Sequence, residues 1–259
     1  MGDGLGHLQF KLMKLIWTLF LLPTLAFGFQ YTTSFPLTEN PISENGFWYN
    51  SQVITTYWSN MLTTASQARG TQPGNNSLPA AYGDSTAVMK GIWYSNQSVA
   101  ITIAVNGTDS SSAEELECRL RSNLGPTNAQ CYEINASVKT GNAYIQVVRW
   151  NGGLGDFTLL NSLGIPVANG YVLKAAITNN VITVYTNNVL CYSVDDTTYI
   201  STHPVFVNGN PGMGAFMQGG VVGNDANFGI SQFTADGLIS GLTNNATVGG
   251  GVGALFLHQ

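Results

Sequence analysis

The chain has 259 residues, of which only 9% are charged, and its formal net charge is −5 at pH 7. An average soluble domain has about 25% charged residues, so this composition argues against long exposed helices and against a charge-driven disordered chain. Without a basic run, the chain also lacks the positive stripe that nucleic acid requires, and we predict no nucleic-acid partner. A single all-β domain of this length is ordinary.

Residues 1–28 are typical of a secretory signal. Two lysines precede an apolar run at residues 15–25, and small residues suited to cleavage follow it. The run is shorter than the ~20 residues of a membrane span, so we expect no membrane span in the mature chain. We predict translation from Met13, cleavage before Phe29 and a secreted or cell-surface protein. An uncleaved membrane anchor is the alternative.

Strand-like runs with apolar alternation then follow, at spacings typical of a β-sandwich. Residues 69–83 are a long turn-rich connection, of the kind in which binding loops often lie. We assign residues 29–236 to one domain and residues 237–259 to a Gly/Asn-rich, poorly ordered tail. The predicted strand regions are 30–35, 47–49, 53–58, 88–94, 99–105, 114–121, 130–138, 144–150, 157–160, 171–196, 213–218 and 227–236.

Residues 171–196 contain three strand-like runs joined by two Asn-Asn turns, which predicts an antiparallel meander. Two-residue loops at both turns place Ile177 opposite Ile182 and Val184 opposite Cys191. Because side chains alternate between the faces of a strand, the two turns define one consistent apolar face.

The predicted inner face of the meander carries Leu173, Ala175, Ile177, Ile182, Val184 and Cys191. The predicted outer face carries Lys174, Thr178, Thr183, Tyr185 and Tyr192. Exposed aromatic rings can stack on sugars while Lys supplies hydrogen bonds, so Lys174, Tyr185 and Tyr192 form a candidate ligand site. Alternatively, these aromatic residues pack under a loop or a further strand.

The cysteines at 118 and 131 lie on neighbouring strand-like runs. The best amphipathic pattern of these runs sends Cys118 inward and Cys131 outward with Glu133, too far apart for a disulfide. We therefore predict free thiols at Cys118 and at Cys191, both buried. The residues predicted to face inward are Leu116, Cys118, Leu120, Tyr132 and Ile134.

Glu117, Arg119 and Arg121 alternate along one strand, and this pattern predicts one outward face shared with Glu133. Arginine forks bind carboxylates in a bidentate manner, so this face could hold a carboxylated sugar. The alternative is a solvated sheet face with weak cross-strand ion pairs.

The run that contains Arg119 is followed by a Tyr-bearing run, QCYEINASV, and then by IQVVRWNGG. The meander comes next, and the segments PGMGAFM and NFGISQFTAD follow it. About half of the chain in this way resembles the laminin-G-like, concanavalin A-like lectin/glucanase superfamily in its bacterial extracellular form. The resemblance implies a jelly-roll sandwich of two antiparallel sheets, often with a glycan on the concave face or rim.

Whether the chain is an enzyme stays open. Alginate-lyase-like members of the superfamily carry alternating Arg and Glu with a Gln-x-His, and no Gln-x-His is present here. Retaining glucanases of this fold carry two carboxylates in a Glu-x-Asp-x-x-Glu pattern, which is also absent. The resemblance therefore favours binding, with lyase or hydrolase action on an anionic glycan as the alternative.

Asp195, Asp196 and Asp225 supply hard oxygen ligands of the kind that Ca²⁺ prefers. They form a candidate calcium site, although such acids more often cap turns. We predict a secreted carbohydrate-recognition domain that binds an extracellular polysaccharide. A structural module that contacts other proteins at a surface is the third interpretation.

Overall fold

The computed structural model describes residues 29–51, 58–72, 84–107, 113–199, 204–218 and 224–240. The predicted signal segment, most of the turn-rich connection and the tail from residue 241 onward lie outside the described residues. Among the described residues, no helix is long and apolar enough to cross a membrane.

The described residues form strands joined by turns and two short 3-10 helices, in agreement with the all-β prediction. The first eight strands are β1 (Phe29–Thr33), β2 (Trp48–Asn50), β3 (Ser59–Thr64), β4 (Gln67–Gly70), β5 (Ser85–Met89), β6 (Ile92–Val105), β7 (Ala113–Gly125) and β8 (Asn128–Ser137). The remaining strands are β9 (Ile145–Trp150), β10 (Phe157–Leu163), β11 (Val172–Thr178), β12 (Val181–Thr186), β13 (Val189–Asp195), β14 (Asn210–Gln218) and β15 (Phe228–Ser240).

These strands form two sheets that pack face to face. Sheet A has the order β13-β12-β11-β6-β15, and both β1 and β4 also pair with β15. Sheet B has the order β10-β9-β8-β7-β14-β5, and β2 pairs with β5. Strand β3 joins the sheets, because it pairs with β4 antiparallel and with β5 in a short parallel contact. The sandwich is thus antiparallel apart from that contact.

The core lies between the two sheets and follows the alternation of their strands. The five residues predicted to face inward from β7 and β8 are all fully buried in it. They pack with apolar residues of sheet A such as Ile101 and Ile103 of β6. Burial of these side chains is the main stabilising contribution, at about 1.5–3 kcal/mol for each large aliphatic residue.

The meander confirms the first predicted hairpin and corrects the second. Ile177 pairs with Ile182, as the first Asn-Asn turn predicts. At the second turn a β-bulge shifts the register, so that Val184 pairs with Tyr192 instead of Cys191. Cys191 is the extra residue of the bulge and is only half-buried, while Tyr192 packs against the core. The predicted faces of these two residues were therefore wrong.

Strand β15 extends to Ser240, four residues into the segment that the sequence assigned to the tail. Its last part pairs with β6, where Ser240 lies opposite Ile92. Backbone pairing with a long neighbouring strand thus keeps these glycine-flanked residues in the sheet.

Candidate functional site

The face of sheet B that points away from the core carries a row of buried and half-buried charged residues. On β7, Glu115, Glu117 and Arg119 alternate with the core residues. Their directly opposite partners on β8 are Ser137, Asn135 and Glu133, in that order. We call this surface the outer face of sheet B.

Arg119 binds three carboxylates on this face. Its Nη1 lies 2.7 Å from Oε2 of Glu133, and its Nη2 lies 3.1 Å from Oδ2 of Asp84. The same Nη2 also donates to Oε2 of Glu117. Asp84 immediately precedes β5, so the cluster joins two strands, β7 and β8, to the start of β5. We call Arg119 with these three acids the arginine cluster.

The arginine cluster is buried, which corrects the prediction of an exposed, outward ligand-binding face and also its alternative of a solvated face. Glu117 and Arg119 are 0% exposed, and Glu133 is 3% exposed. Two tryptophans cover one end: the Arg119 guanidinium lies 4.3 Å from the ring centre of Trp58, and Trp150 Nε1 donates to Oε2 of Glu133 at 2.7 Å. The periodicity of β7 and β8 predicted the correct face for Glu117, Arg119 and Glu133. The sequence pattern of these strands did not indicate the tryptophans that cover that face. We call this covered part the closed end.

Cys131 also lies at the closed end, with its Sγ 3.4 Å from Arg119 Nη1. Cys118 projects into the core on the opposite side of sheet B, and all three thiols are free, as parity predicted for the 118–131 pair. Burial raises the pKa of the Cys131 thiol to about 12, so it is an inert apolar neighbour of the cluster.

A glycine on β14 makes room for the cluster. Gly214 lies opposite Glu117, and a Cβ added to it would lie 2.9 Å from the Glu117 carboxyl carbon and 2.9 Å from Arg119 Nε. The side chains of Glu117 and Arg119 therefore lie over the bare backbone of β14. Any larger residue at 214 would displace them.

Burial and mutual repulsion shift the acids of the cluster. Burial raises the pKa of Asp84 well above its ordinary value, and the Glu133 carboxylate raises it further against the opposing effect of Arg119. Burial likewise raises the pKa of Glu117. Two acceptors, Glu117 Oε1 and Asn135 Oδ1, are buried without a hydrogen-bond partner. The cluster therefore carries an excess of acidic groups in a closed space.

The other end of the outer face is accessible. Four half-buried side chains lie there. They belong to Glu115 on β7, Tyr144 immediately before β9, Gln146 on β9 and Phe216 on β14. Phe216 pairs with Glu115, and Gln146 pairs with Asn135. We call these four residues the open end.

Glu115 and Tyr144 form a hydrogen-bonded pair at the open end, in which the Tyr144 hydroxyl donates to Oε1 of Glu115. Burial raises the pKa of Glu115 to about 7, while this hydrogen bond opposes the rise. Burial and the Glu115 charge raise the pKa of Tyr144. Glu115 thus exchanges a proton near neutral pH, a property suited to acid–base chemistry.

Glu115, Tyr144 and Asp84 were not predicted as site residues. Glu115 had a usable signal, because it lies two residues before Glu117 and so shares its face. Asp84 and Trp58 had none, since only the pairing of β3 with β5 and of β5 with β14 brings them to β7.

Arg121 leaves the outer face, which corrects its predicted alignment with Arg119. The register of β7 shifts after Leu120, and Arg121 has a left-handed backbone with φ of 47°. Its guanidinium donates to the backbone carbonyls of Ser95 (2.8 Å), Phe206 and Asn179. Arg121 therefore ties β7 to β6, to the β11–β12 turn and to the segment before β14, and it is buried.

The second predicted ligand site divides between two faces. Lys174 and Tyr185 lie opposite each other on the outer face of sheet A and are half-buried. Tyr192 lies on the core side because of the bulge in β13. A ligand role for Lys174 and Tyr185 stays a prediction.

The two described acids of the predicted calcium site have other partners. Asp196 is buried, accepts from the Tyr132 hydroxyl at 2.5 Å and lies 3.6 Å from Arg149 Nε. Asp195 accepts from the backbone N and the hydroxyl of Thr197 at 2.9 and 2.7 Å, which lowers its pKa. The side chain of Asp225 lies outside the described residues.

Oxygen atoms of Asp84, Glu117 and Glu133 lie within 4.8 Å of one another, as close as the ligands of a metal ion would be. The guanidinium of Arg119 already supplies a cation to all three. This donor set therefore fits a guanidinium, and we assign no metal to it.

No protein-family model matches the chain, and no curated protein matches it in sequence. Solved structures match it in three dimensions. The laminarinase from Rhodothermus marinus has a TM-score of 0.51 at 12% identity, over 82% of this chain and 99% of the other. The fold is a concanavalin A-like jelly roll.

Two further structures have similar scores. The GH43 protein BlXynB from Bacillus licheniformis has a TM-score of 0.51 at 15% identity, over 80% of this chain and 39% of the other. The carbohydrate-binding module CBM66 from Bacillus subtilis has a TM-score of 0.48 at 15% identity, over 70% of this chain and 97% of the other. At these identities the likeness to the laminarinase and to the GH43 protein establishes the fold alone. This chain covers only 39% of the GH43 protein.

Proposed function

We propose that this chain is a secreted carbohydrate-recognition domain that binds an extracellular polysaccharide at the open end of the outer face of sheet B. The laminarinase and the GH43 protein that share its fold are named for carbohydrate chemistry, which makes a glycan the first ligand to test. The laminin-G-like subgroup that the sequence resembles is part of the same proposal.

The observation that carries the proposal is the arrangement of groups at the open end. Phe216 offers a ring face, Gln146 offers an amide, and Glu115 with Tyr144 offers a carboxyl and a hydroxyl, all half-buried on one sheet face. Sugars present apolar ring faces and many hydroxyl groups, so an aromatic ring beside a few fixed polar groups suits them. The buried arginine cluster lies next to the open end on the same sheet face, and it holds the strands that carry the open-end residues in position.

A second candidate function is cleavage of the bound glycan, and the Glu115 pKa of about 7 favours it. A general acid or base works best when its pKa is near the working pH. Glu115 is the accessible carboxyl of the face, whereas Glu117 is fully buried and bonded to Arg119. Glu115 and Tyr144 are therefore the residues that we assign to a lyase or hydrolase reaction.

Retention on a panel of neutral and anionic polysaccharides, with and without EDTA, tests the proposal. We expect retention on at least one polysaccharide without shortening of that polysaccharide. Shortened products that disappear in Glu115→Gln would select the enzyme instead. Failure to retain any glycan, together with capture of a protein partner, would select the structural surface module. Loss of retention in EDTA would restore the calcium prediction.

A further inference from the structure

Glu117 and Asn135 face each other across β7 and β8, and each holds a buried oxygen without a donor. The Asn135 amide orientation is set by its Nδ2, which donates to Oε1 of Glu133 at 3.0 Å. Its Oδ1 is therefore the free atom. Glu117 uses Oε2 for Arg119, so its Oε1 is the free atom. Two acceptors on directly opposite residues cannot bond to each other unless one carries a proton.

The charged groups around Glu117 also favour the protonated form of its carboxyl group. Its own strand brings Glu115 and Arg119, β8 brings Glu133 and the thiol of Cys131, the residue before β5 brings Asp84, and the residue before β9 brings Tyr144. Strand β14 contributes only glycine opposite Glu117 and Arg119. One guanidinium thus pairs with three carboxyl groups, and the Glu115 carboxyl group lies on the same strand face. An uncompensated buried carboxylate is costly.

Glu133 has more hydrogen-bond donors than Glu117. It accepts from Asn135 Nδ2 and from Trp150 Nε1, and it forms an ion pair with Arg119. Three donors thus reach its two oxygens. Glu117 has Arg119 on one oxygen only.

We propose that Glu117 is a neutral carboxylic acid in the folded protein and that its Oε1 hydroxyl donates a hydrogen bond to Oδ1 of Asn135. One proton then satisfies both orphaned acceptors and removes one negative charge from the arginine cluster. The arginine cluster lies at the closed end, so the protonation of Glu117 is independent of the ligand proposal.

The direction of the pKa shift agrees with this assignment. Burial raises the pKa of Glu117 from its ordinary value of 4.5, Arg119 opposes the rise, and Glu133, Asp84 and Glu115 add to it. A carboxyl with a raised folded-state pKa stabilises the fold fully below its ordinary pKa. That contribution is lost as the pH rises through the folded-state value. The arginine cluster therefore stabilises the fold more in acidic solution than in alkaline solution.

Glu117→Gln in the full chain tests the proposal, because glutamine is a permanently neutral analogue whose amide can donate to Asn135. We expect the Tm of Glu117→Gln to equal that of the wild type at about pH 5 and to exceed it at about pH 9. Asn135→Leu is the matched control: it removes the acceptor and lowers the Tm at about pH 5. A Tm of Glu117→Gln that is lower by the same amount at both pH values would mean that Glu117 is ionised, and would overturn the proposal.

Proton release provides a second measurement that needs only the wild-type chain. Unfolding in urea at about pH 7, followed in unbuffered solution, should release protons, because the unfolded acids have ordinary pKa values. Glu117→Gln should release about one proton fewer. No release from the wild type would overturn the proposal. So would a rise in wild-type Tm with Ca²⁺ that EDTA reverses and Glu117→Gln lacks, since a cation would then supply the missing charge.

Discussion

Arg119 is the residue on which the order of the outer face depends, since three carboxylates from separate strands converge on its guanidinium. Arg119→Met should destabilise the protein by about 3–5 kcal/mol, because it leaves buried carboxylates without their cation. Urea unfolding measures this loss. Lys174→Met, on the half-buried outer face of sheet A, is the control and should change stability by much less. Equal midpoints for the two variants would mean that the cluster is not closed.

Gly214 gives a second test at the residue scale. Gly214→Ala should destabilise the protein by about 1–3 kcal/mol, because the new Cβ crowds the Glu117 carboxyl group and Arg119. Gly164→Ala is the matched control, since nothing lies within 4 Å of a Cβ at that position. Thermal unfolding of the two variants compares them, and similar Tm values would contradict the described packing over β14.

Alternation along two neighbouring strands, β7 and β8, was enough to place Glu117, Arg119 and Glu133 on a common face. It was not enough to predict their burial, because the cover includes Trp58, which lies about sixty residues before Arg119 in the sequence. Charged residues are rarely fully buried unless paired, so the prediction of exposure followed the general tendency. The pairing that overrides the tendency is a tertiary contact.

At the scale of elements, the meander tests the register. Ile182→Ala should cost about 2–5 kcal/mol, since Ile182 is fully buried between the sheets. Thr183→Ala, the next position and on the other face, should cost far less. Denaturant midpoints give both values. Comparable losses would place β12 out of register by one residue and reverse its two faces.

The two Asn-Asn turns show how far a turn fixes a strand. Asn179 at the first turn and both Asn187 and Asn188 at the second have left-handed backbones, as the sequence signal requires. The pairs next to both turns follow from loop length. The bulge lies between the pairs formed by Tyr185 and by Val184, one step beyond the pairs next to the turn, and it moves Tyr192 inward. The local sequence pattern does not indicate that β13 contains one extra residue.

At the scale of the whole molecule, the balance of shifted acids predicts a fold that prefers acidic solution. Burial raises the pKa of Glu115 from 4.5 to about 7, so its contribution is complete below pH 4.5 and is lost as the pH rises through about 7. The unfolding free energy should fall over this window. Glu115→Gln should reduce that fall, and an unchanged pH profile would contradict the described burial of Glu115.

The all-β sandwich followed from the spacing of the alternating runs, because each run must bury one face against another sheet. The division into two sheets came from the resemblance. The parallel contact of β3 with β5 and the continuation of β15 to Ser240 had no sequence signal, since backbone pairing determines both. The pairing of β3 with β5, and of β5 with β14, brings Trp58 and Asp84 to the arginine cluster, so the site was predicted less completely than the fold.

The most direct test of the account compares two glutamines on opposite outer faces. Gln146→Ala, at the open end of sheet B, should weaken binding to a retained polysaccharide about 2- to 12-fold, as expected for the loss of one hydrogen bond of about 0.5–1.5 kcal/mol. Gln232→Ala, exposed on sheet A opposite Thr102, should leave the Kd unchanged. Isothermal titration measures both. Weaker binding in Gln232→Ala with full binding in Gln146→Ala would place the glycan on sheet A and contradict the account.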